Sequence, residues 1–161
     1  FRTIINKRAN KALNLNLIMN KYHSHIDKLR DSGLRLTEQR LAICKILFDR
    51  KETIHFTVEE LKKTIEKNIK SKISLATLYN TVHALQKKGY LKEISFKGNK
   101  TFFDTNTNNH HHFYDEERSE LMDIEEENIS VNNMPKIPKG KKIKGIEITI
   151  KLENNNQNQK K

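Results

Sequence analysis

Four apolar segments of helical period, followed by two short strand-like runs around Lys97-Gly98-Asn99, leave few architectures open to the first two-thirds of this chain. Tyr22, Ile26 and Leu29 recur at i, i+4 and i+7 until Gly33, a residue suited to ending a helix. Thr37 is placed to cap a second helix, whose Leu41, Cys44, Leu47 and Phe48 form one stripe ending at Asp49. Thr57-Val58-Glu59-Glu60 is a capping box, whose hydroxyl and carboxylate satisfy free backbone N–H groups at a helix start. Leu61 and Ile65 mark the buried face of that third helix, which gives way to a turn over residues 67–72. Ser74 caps a fourth, with Leu75, Leu78, Val82 and Leu85 on one face, Thr77, Tyr79, Asn80 and Thr81 elsewhere, and Gly89 at its end. Strands are predicted over residues 90–96 and 100–104, joined by a hairpin turn.

Helix, helix, hairpin is the order of a winged helix-turn-helix domain, expected over residues 21–104. Further strands are predicted over residues 110–115, 120–124 and 143–152, the last with Ile146, Ile148, Ile150 and Leu152 in period two. Pro135 and Pro138 exclude a long helix before it. The chain therefore reads as α+β, with a small second α+β domain over residues 105–152. Residues 1–20 are expected to form a basic, disordered arm, and the Asn- and Gln-rich residues 153–161 a disordered tail.

Charge is divided unevenly between the halves. Residues 1–103 hold 22 Lys/Arg against 9 Asp/Glu, whereas residues 104–161 hold 9 against 11. The basic half is the candidate for a polyanionic partner, with a merely solvated Lys-rich surface as the plain alternative. A winged helix lays its last helix in the major groove of double-stranded DNA. Ser74, Thr77, Tyr79 and Asn80 lie on that helix; Asn pairs with adenine and a Tyr ring meets a thymine methyl, so an A/T-rich site is expected. Arg35, Arg40, Lys97 and Lys100 are the expected phosphate contacts. A helix pair that binds protein or RNA is the alternative.

Cys44 is the single cysteine, so neither an intrachain disulfide nor a Cys-x-x-Cys zinc site can form, and a core thiol in a reducing cytoplasm is expected. No apolar run approaches a membrane span, and residues 1–20 lack the continuous apolar stretch of a secretory leader. His110-His111-His112 is the densest run of ligand chemistry, since neutral imidazole takes zinc, iron and haem iron. On a strand His110 and His112 share one side and His111 opposes them, so at most two can meet one ion. A polar loop is the alternative for the triplet.

The stretch from Leu29 to Arg40, LRDSGLRLTEQR, resembles the L-R-x-x-G-L-R-x-T-x-Q-R opening of the ferric uptake regulator family, and Ile73-Ser74-Leu75-Ala76-Thr77-Leu78-Tyr79 resembles its recognition-helix signature. The likeness covers residues 25–152 and implies a homodimeric, DNA-binding regulator with a dimerisation and ligand-sensing second domain and metal sites near the hinge. It further implies a regulatory ion (Fe, Mn or Zn) held by His55, Asp104 and His111 or His112. Phe113 and Tyr114 replace the Asp-His that many members carry after three histidines, and Phe113 also removes an acidic ligand of the second family site, to which Glu125, Glu126 or Glu127 could contribute one ligand. Asn80, in place of the usual Arg, the His-His-His-Phe-Tyr stretch and the absence of Cys-x-x-Cys resemble the iron response regulator branch, which implies haem binding by His110, His111 and His112 and a repressor modulated by haem. Cys44 precedes Lys45, so a Cys-Pro haem motif is absent. His83 is expected to be a polar contact rather than a ligand. Direct sensing of Fe, Mn or Zn is the alternative to haem. A metal-dependent hydrolase is a remote one, without His-Glu-x-x-His, a Gly-rich phosphate loop or a nucleophile context.

Overall fold

The computed structural model describes residue 20 and residues 22–69, 72–96 and 100–154. Of the sequence expectations, the arm up to residue 19, the hairpin turn Lys97-Gly98-Asn99 and the tail from residue 155 lie outside the described residues. The chain divides into two compact units, one ending at Thr107 and one beginning at Asn108.

The first unit runs α1 (residues 22–31), α2 (Glu38–Phe48), β1 (His55–Phe56), α3 (Val58–Ile69), α4 (Leu75–Lys87), β2 (Lys92–Ser95) and β3 (Thr101–Asp104). Helix ends follow local chemistry. After α1 the Gly33 N–H donates to Arg30 O and the Leu34 N–H to Leu29 O, both at 2.9 Å, with Gly33 at φ +71°. The same 5→2 and 6→1 pair closes α4, from Gly89 to Gln86 and from Tyr90 to Leu85, with Gly89 at φ +79°. Both are Schellman caps, which place a residue in the left-handed region where only glycine sits without strain. At the other ends Thr37 accepts from Arg40 N at 3.3 Å and Ser74 from Thr77 N at 3.1 Å. Thr57 and Glu60 form the reciprocal box, at 3.2 and 2.9 Å, and each such cap contributes about 1 kcal/mol.

The helices converge on Leu29, Ile43, Leu47, Ile65, Leu78, Val82 and Leu85, all essentially inaccessible to water. Cys44 belongs to this core, and burial pushes its thiol up to about 12, which leaves it an inert apolar group. Two expectations for α4 are corrected. Leu75, assigned to the buried face, is 42% exposed because it begins the helix beyond the reach of the core. Thr81, assigned outward, is fully buried, its hydroxyl satisfied by donating to Thr77 O at 2.7 Å.

An antiparallel sheet of order β1-β3-β2 completes the unit, with His55 opposite Asp104 and Phe56 opposite Phe103. The two-residue β1 was not expected, since it is too short to show a period.

The second unit is a sheet of order β5-β4-β6, from β4 (His110–Asp115), β5 (Glu120–Glu125) and β6 (Thr149–Leu152), with a 3-10 turn at Glu126–Asn128. β4 pairs antiparallel with β5 and parallel with β6. The β4–β5 register is set by a tight turn in which Asp115 Oδ1 accepts from Glu117 N and Arg118 N at 3.0 and 2.9 Å. That register puts His112 opposite Asp123. The last strand is shorter than predicted: Ile143 and Ile146 precede it and are 45% and 39% exposed. Apolar alternation alone does not pair a segment; β6 is held on one edge by β4, and Ile150 within it is itself 39% exposed.

Candidate DNA-facing helix and metal-ligand clusters

The outer side of α4 carries the residues expected to meet a nucleic acid. Ser74, Tyr79 and Asn80 are exposed and Thr77 is half-buried. Ser74 is committed to the cap, its hydroxyl also 2.9 Å from Thr77 Oγ1. The Tyr79 hydroxyl donates to Glu59 Oε1 on α3 at 2.8 Å, and its ring stacks on His83 at 5.9 Å and 19°. That hydrogen bond to the carboxylate is the main cause holding the Tyr79 phenol above its ordinary value. His83 in turn meets the edge of Phe103 at 5.5 Å and 81°. It is thus a packing link between the helix and the sheet. Beside these groups lies a cleft of about 470 Å³ lined by Glu59, Lys63, Tyr79, His83, Glu93 and Lys100.

Of the four expected phosphate contacts, Arg35 is exposed and Lys100 half-buried, its Nζ 4.7 Å above the Phe102 ring. Arg40 is half-buried and its Nη1 donates to Arg35 O at 2.8 Å, so its guanidinium braces the loop before α2. Lys97 lies outside the described residues.

Each unit carries ligand chemistry. In the first, His55 Nε2 stands 3.3 Å from Asp104 Oδ2, and Asp104 is fully buried. The other Asp104 oxygen accepts from Asn106 N at 2.7 Å, which anchors the carboxylate at the strand end. In the second, His110, His111 and His112 are all buried, at 2–4% exposure. The His110 and His112 Nε2 atoms are 2.9 Å apart, and Asp123 Oδ1 lies 3.5 and 3.8 Å from them. His110 Nδ1 is 2.8 Å from Asn108 O. A carbonyl only accepts, so Nδ1 carries the proton and Nε2 presents its lone pair to the cluster. His111 points the other way: its Nδ1 accepts from Ile148 N at 3.3 Å and ties the chain just before β6 to β4.

The cluster fits a small cation. Two donors about 2.1 Å from one ion stand about 3 to 3.4 Å apart when cis to each other, close to the separations among these three side chains. Two imidazoles and a carboxylate suit Zn, Mn or Fe ions. The period-two reading of the triplet agrees with the strand: His110 and His112 share one side, and the His111 ring faces the other, toward Ile148 N. Asp123 was missed; only the β4–β5 register brings it across from His112.

A model of the ferric uptake regulator family matches residues 31–152. The peroxide-responsive repressor PerR of Staphylococcus aureus strain Mu50 is 29% identical over 114 residues, covering 71% of this chain and 75% of that protein. The ferric uptake regulator from Pseudomonas aeruginosa with manganese matches 81% of this chain and 98% of its own, with TM-score 0.60 and 18% identity. A zinc-bound manganese uptake regulator matches 79% and 97%, with TM-score 0.53 and 22% identity. At these identities the structural likenesses speak for the α+β fold.

Proposed function

The chain belongs to the ferric uptake regulator family, and from that premise we propose that it is a sequence-specific DNA-binding transcription regulator that senses Fe, Mn or Zn ions directly. The observation that carries the sensing part is the buried His110–His112–Asp123 cluster, with one imidazole already fixed in the tautomer a metal requires. These three side chains are proposed to hold the ion, with His55 and Asp104 as the further ligand source that the family resemblance implies. The bound ion would supply positive charge that cross-links β4 to β5. The manganese and zinc of the two related structures are in keeping with this donor set.

DNA contact is proposed for α4, with Thr77, Tyr79 and Asn80 at base edges of an A/T-rich operator and Ser74, Arg35, Lys97 and Lys100 toward phosphates. We place the homodimer contact on the second unit, whose edge strand β6 carries exposed Ile150. A cytoplasmic location follows from this reading; no helix among the described residues is long and apolar enough to cross a membrane.

Haem modulation, and with it assignment to the iron response regulator branch, is the second reading, and it rests on His-His-His-Phe-Tyr and Asn80. The geometry favours an ion. The His110 and His112 nitrogens sit 2.9 Å apart on a buried strand, a separation that suits two donors to one small cation. A titration of A/T-rich promoter DNA at several salt concentrations, with Mn, Fe or Zn ions or with haem, separates the readings. Binding should weaken steeply with salt, at a log–log slope of about −0.9 per phosphate contacted, and shift about 5- to 150-fold with one of the divalent ions. A Soret shift accompanied by a haem-dependent, ion-independent affinity would instead establish the haem reading.

A further inference from the structure

Tyr79 is tied to a carboxylate on another helix, and that changes what it can read. A phenol has one O–H to donate and two lone pairs with which to accept. Its single proton points at Glu59 Oε1, 2.8 Å away. We infer that Glu59 is a positioning and specificity-determining residue, which commits the Tyr79 hydroxyl to act on DNA only as a hydrogen-bond acceptor. This rests on the DNA-binding reading above.

The consequence follows from the major-groove edges. Exposed amino donors there belong to adenine N6 and cytosine N4, whereas guanine O6 and N7 and thymine O4 only accept. A Tyr79 oxygen without a free proton therefore pairs with adenine or cytosine and is repelled by guanine and by thymine O4. The flanking ring prefers the C5 methyl of thymine, and the A·T pair alone offers the amino donor and that methyl together. Glu59 thus restricts the contacted base to adenine or cytosine without touching DNA itself, and the ring's preference for the thymine methyl then favours adenine.

Three further features support the assignment. The ring is not free to swing the hydroxyl elsewhere, since it stacks on His83, which is braced in turn by the edge of buried Phe103. Glu59 stands in the first turn of α3, where the helix dipole favours a carboxylate, so the anion is stabilised even on a face meant for phosphates. The hydrogen bond to Glu59 also raises the Tyr79 phenol above its ordinary value, so the proton stays on the phenol at neutral pH. Donation to an anion makes the phenol oxygen a stronger acceptor.

The test is binding selection of the full-length, ion-loaded protein on randomised duplexes, run for the wild type, Y79F, E59Q and E59L. Glu59 is exposed, so these variants are expected to fold, which circular dichroism checks. At the pair where Y79F alters selection, the wild type is expected to favour adenine or cytosine about tenfold over guanine or thymine on the contacted strand. E59Q, whose amide oxygen still accepts, retains most of that preference. E59L frees the proton and reduces the preference to about twofold, while selection elsewhere in the site is unchanged. A preference identical in wild type and E59L, a wild-type preference for guanine or thymine there, or no effect of Y79F at any pair would each overturn the inference. Selection of no sequence by any of the four proteins would overturn the DNA-binding reading itself, and the inference with it.

Discussion

Phe103→Ala is expected to destabilise the first unit by about 3–5 kcal/mol, a large part of the 5–15 kcal/mol that holds a domain of this size. Phe103 is 1% exposed and stacks on Phe56 across the β1–β3 pair at 5.9 Å. It also receives the His83 ring from α4. Removing it opens a cavity at the junction of helix and sheet, where Phe56 on β1 and His83 on α4 would both have to move to fill the space. A urea or thermal melt of the variant measures the loss. A change below about 1.5 kcal/mol would mean that the site collapses easily and that the sheet is not packed as described.

The second large effect concerns the ion. His110→Ala or His112→Ala is expected to weaken divalent-ion binding by at least about a hundredfold, since losing only an outer hydrogen-bond partner of a ligand costs 10- to 100-fold. His111→Ala should behave differently. Its ring faces away from the other two and accepts from Ile148 N, so the variant should lose about 1–3 kcal/mol of stability from the orphaned N–H and leave ion affinity within about threefold. Isothermal titration with Mn or Zn ions, together with metal content after dialysis, distinguishes them. Equal losses at all three positions would contradict the assignment of sides on β4.

Much of this was legible in the sequence because it is governed by near neighbours. Gly33 and Gly89 end their helices through hydrogen bonds spanning five residues, and Thr57 and Glu60 satisfy each other three residues apart. The opposition of His111 to His110 and His112 follows from strand geometry alone. What was not legible depends on register and on contacts between elements. Asp123 joins the histidines only because the Asp115 turn sets β5 against β4 in one alignment. Glu59 and Tyr79 are 20 residues apart on different helices, and neither carries a local sign of the other. The extended strand predicted from Ile143 failed for the converse reason: alternation describes a segment able to pair, while pairing requires a partner edge, and β4 offers one only from Thr149 onward.

One protein is proposed to couple an ion to operator DNA. Linkage acts in both directions, because a ligand that changes DNA affinity by a given factor must have its own affinity changed by DNA by the same factor. The measurement is the dissociation constant of the activating divalent ion with and without saturating operator, set beside the operator's dissociation constant with and without the ion. Two equal ratios are expected, each between about 5 and 150. An ion affinity that does not move when DNA is added would contradict this coupling.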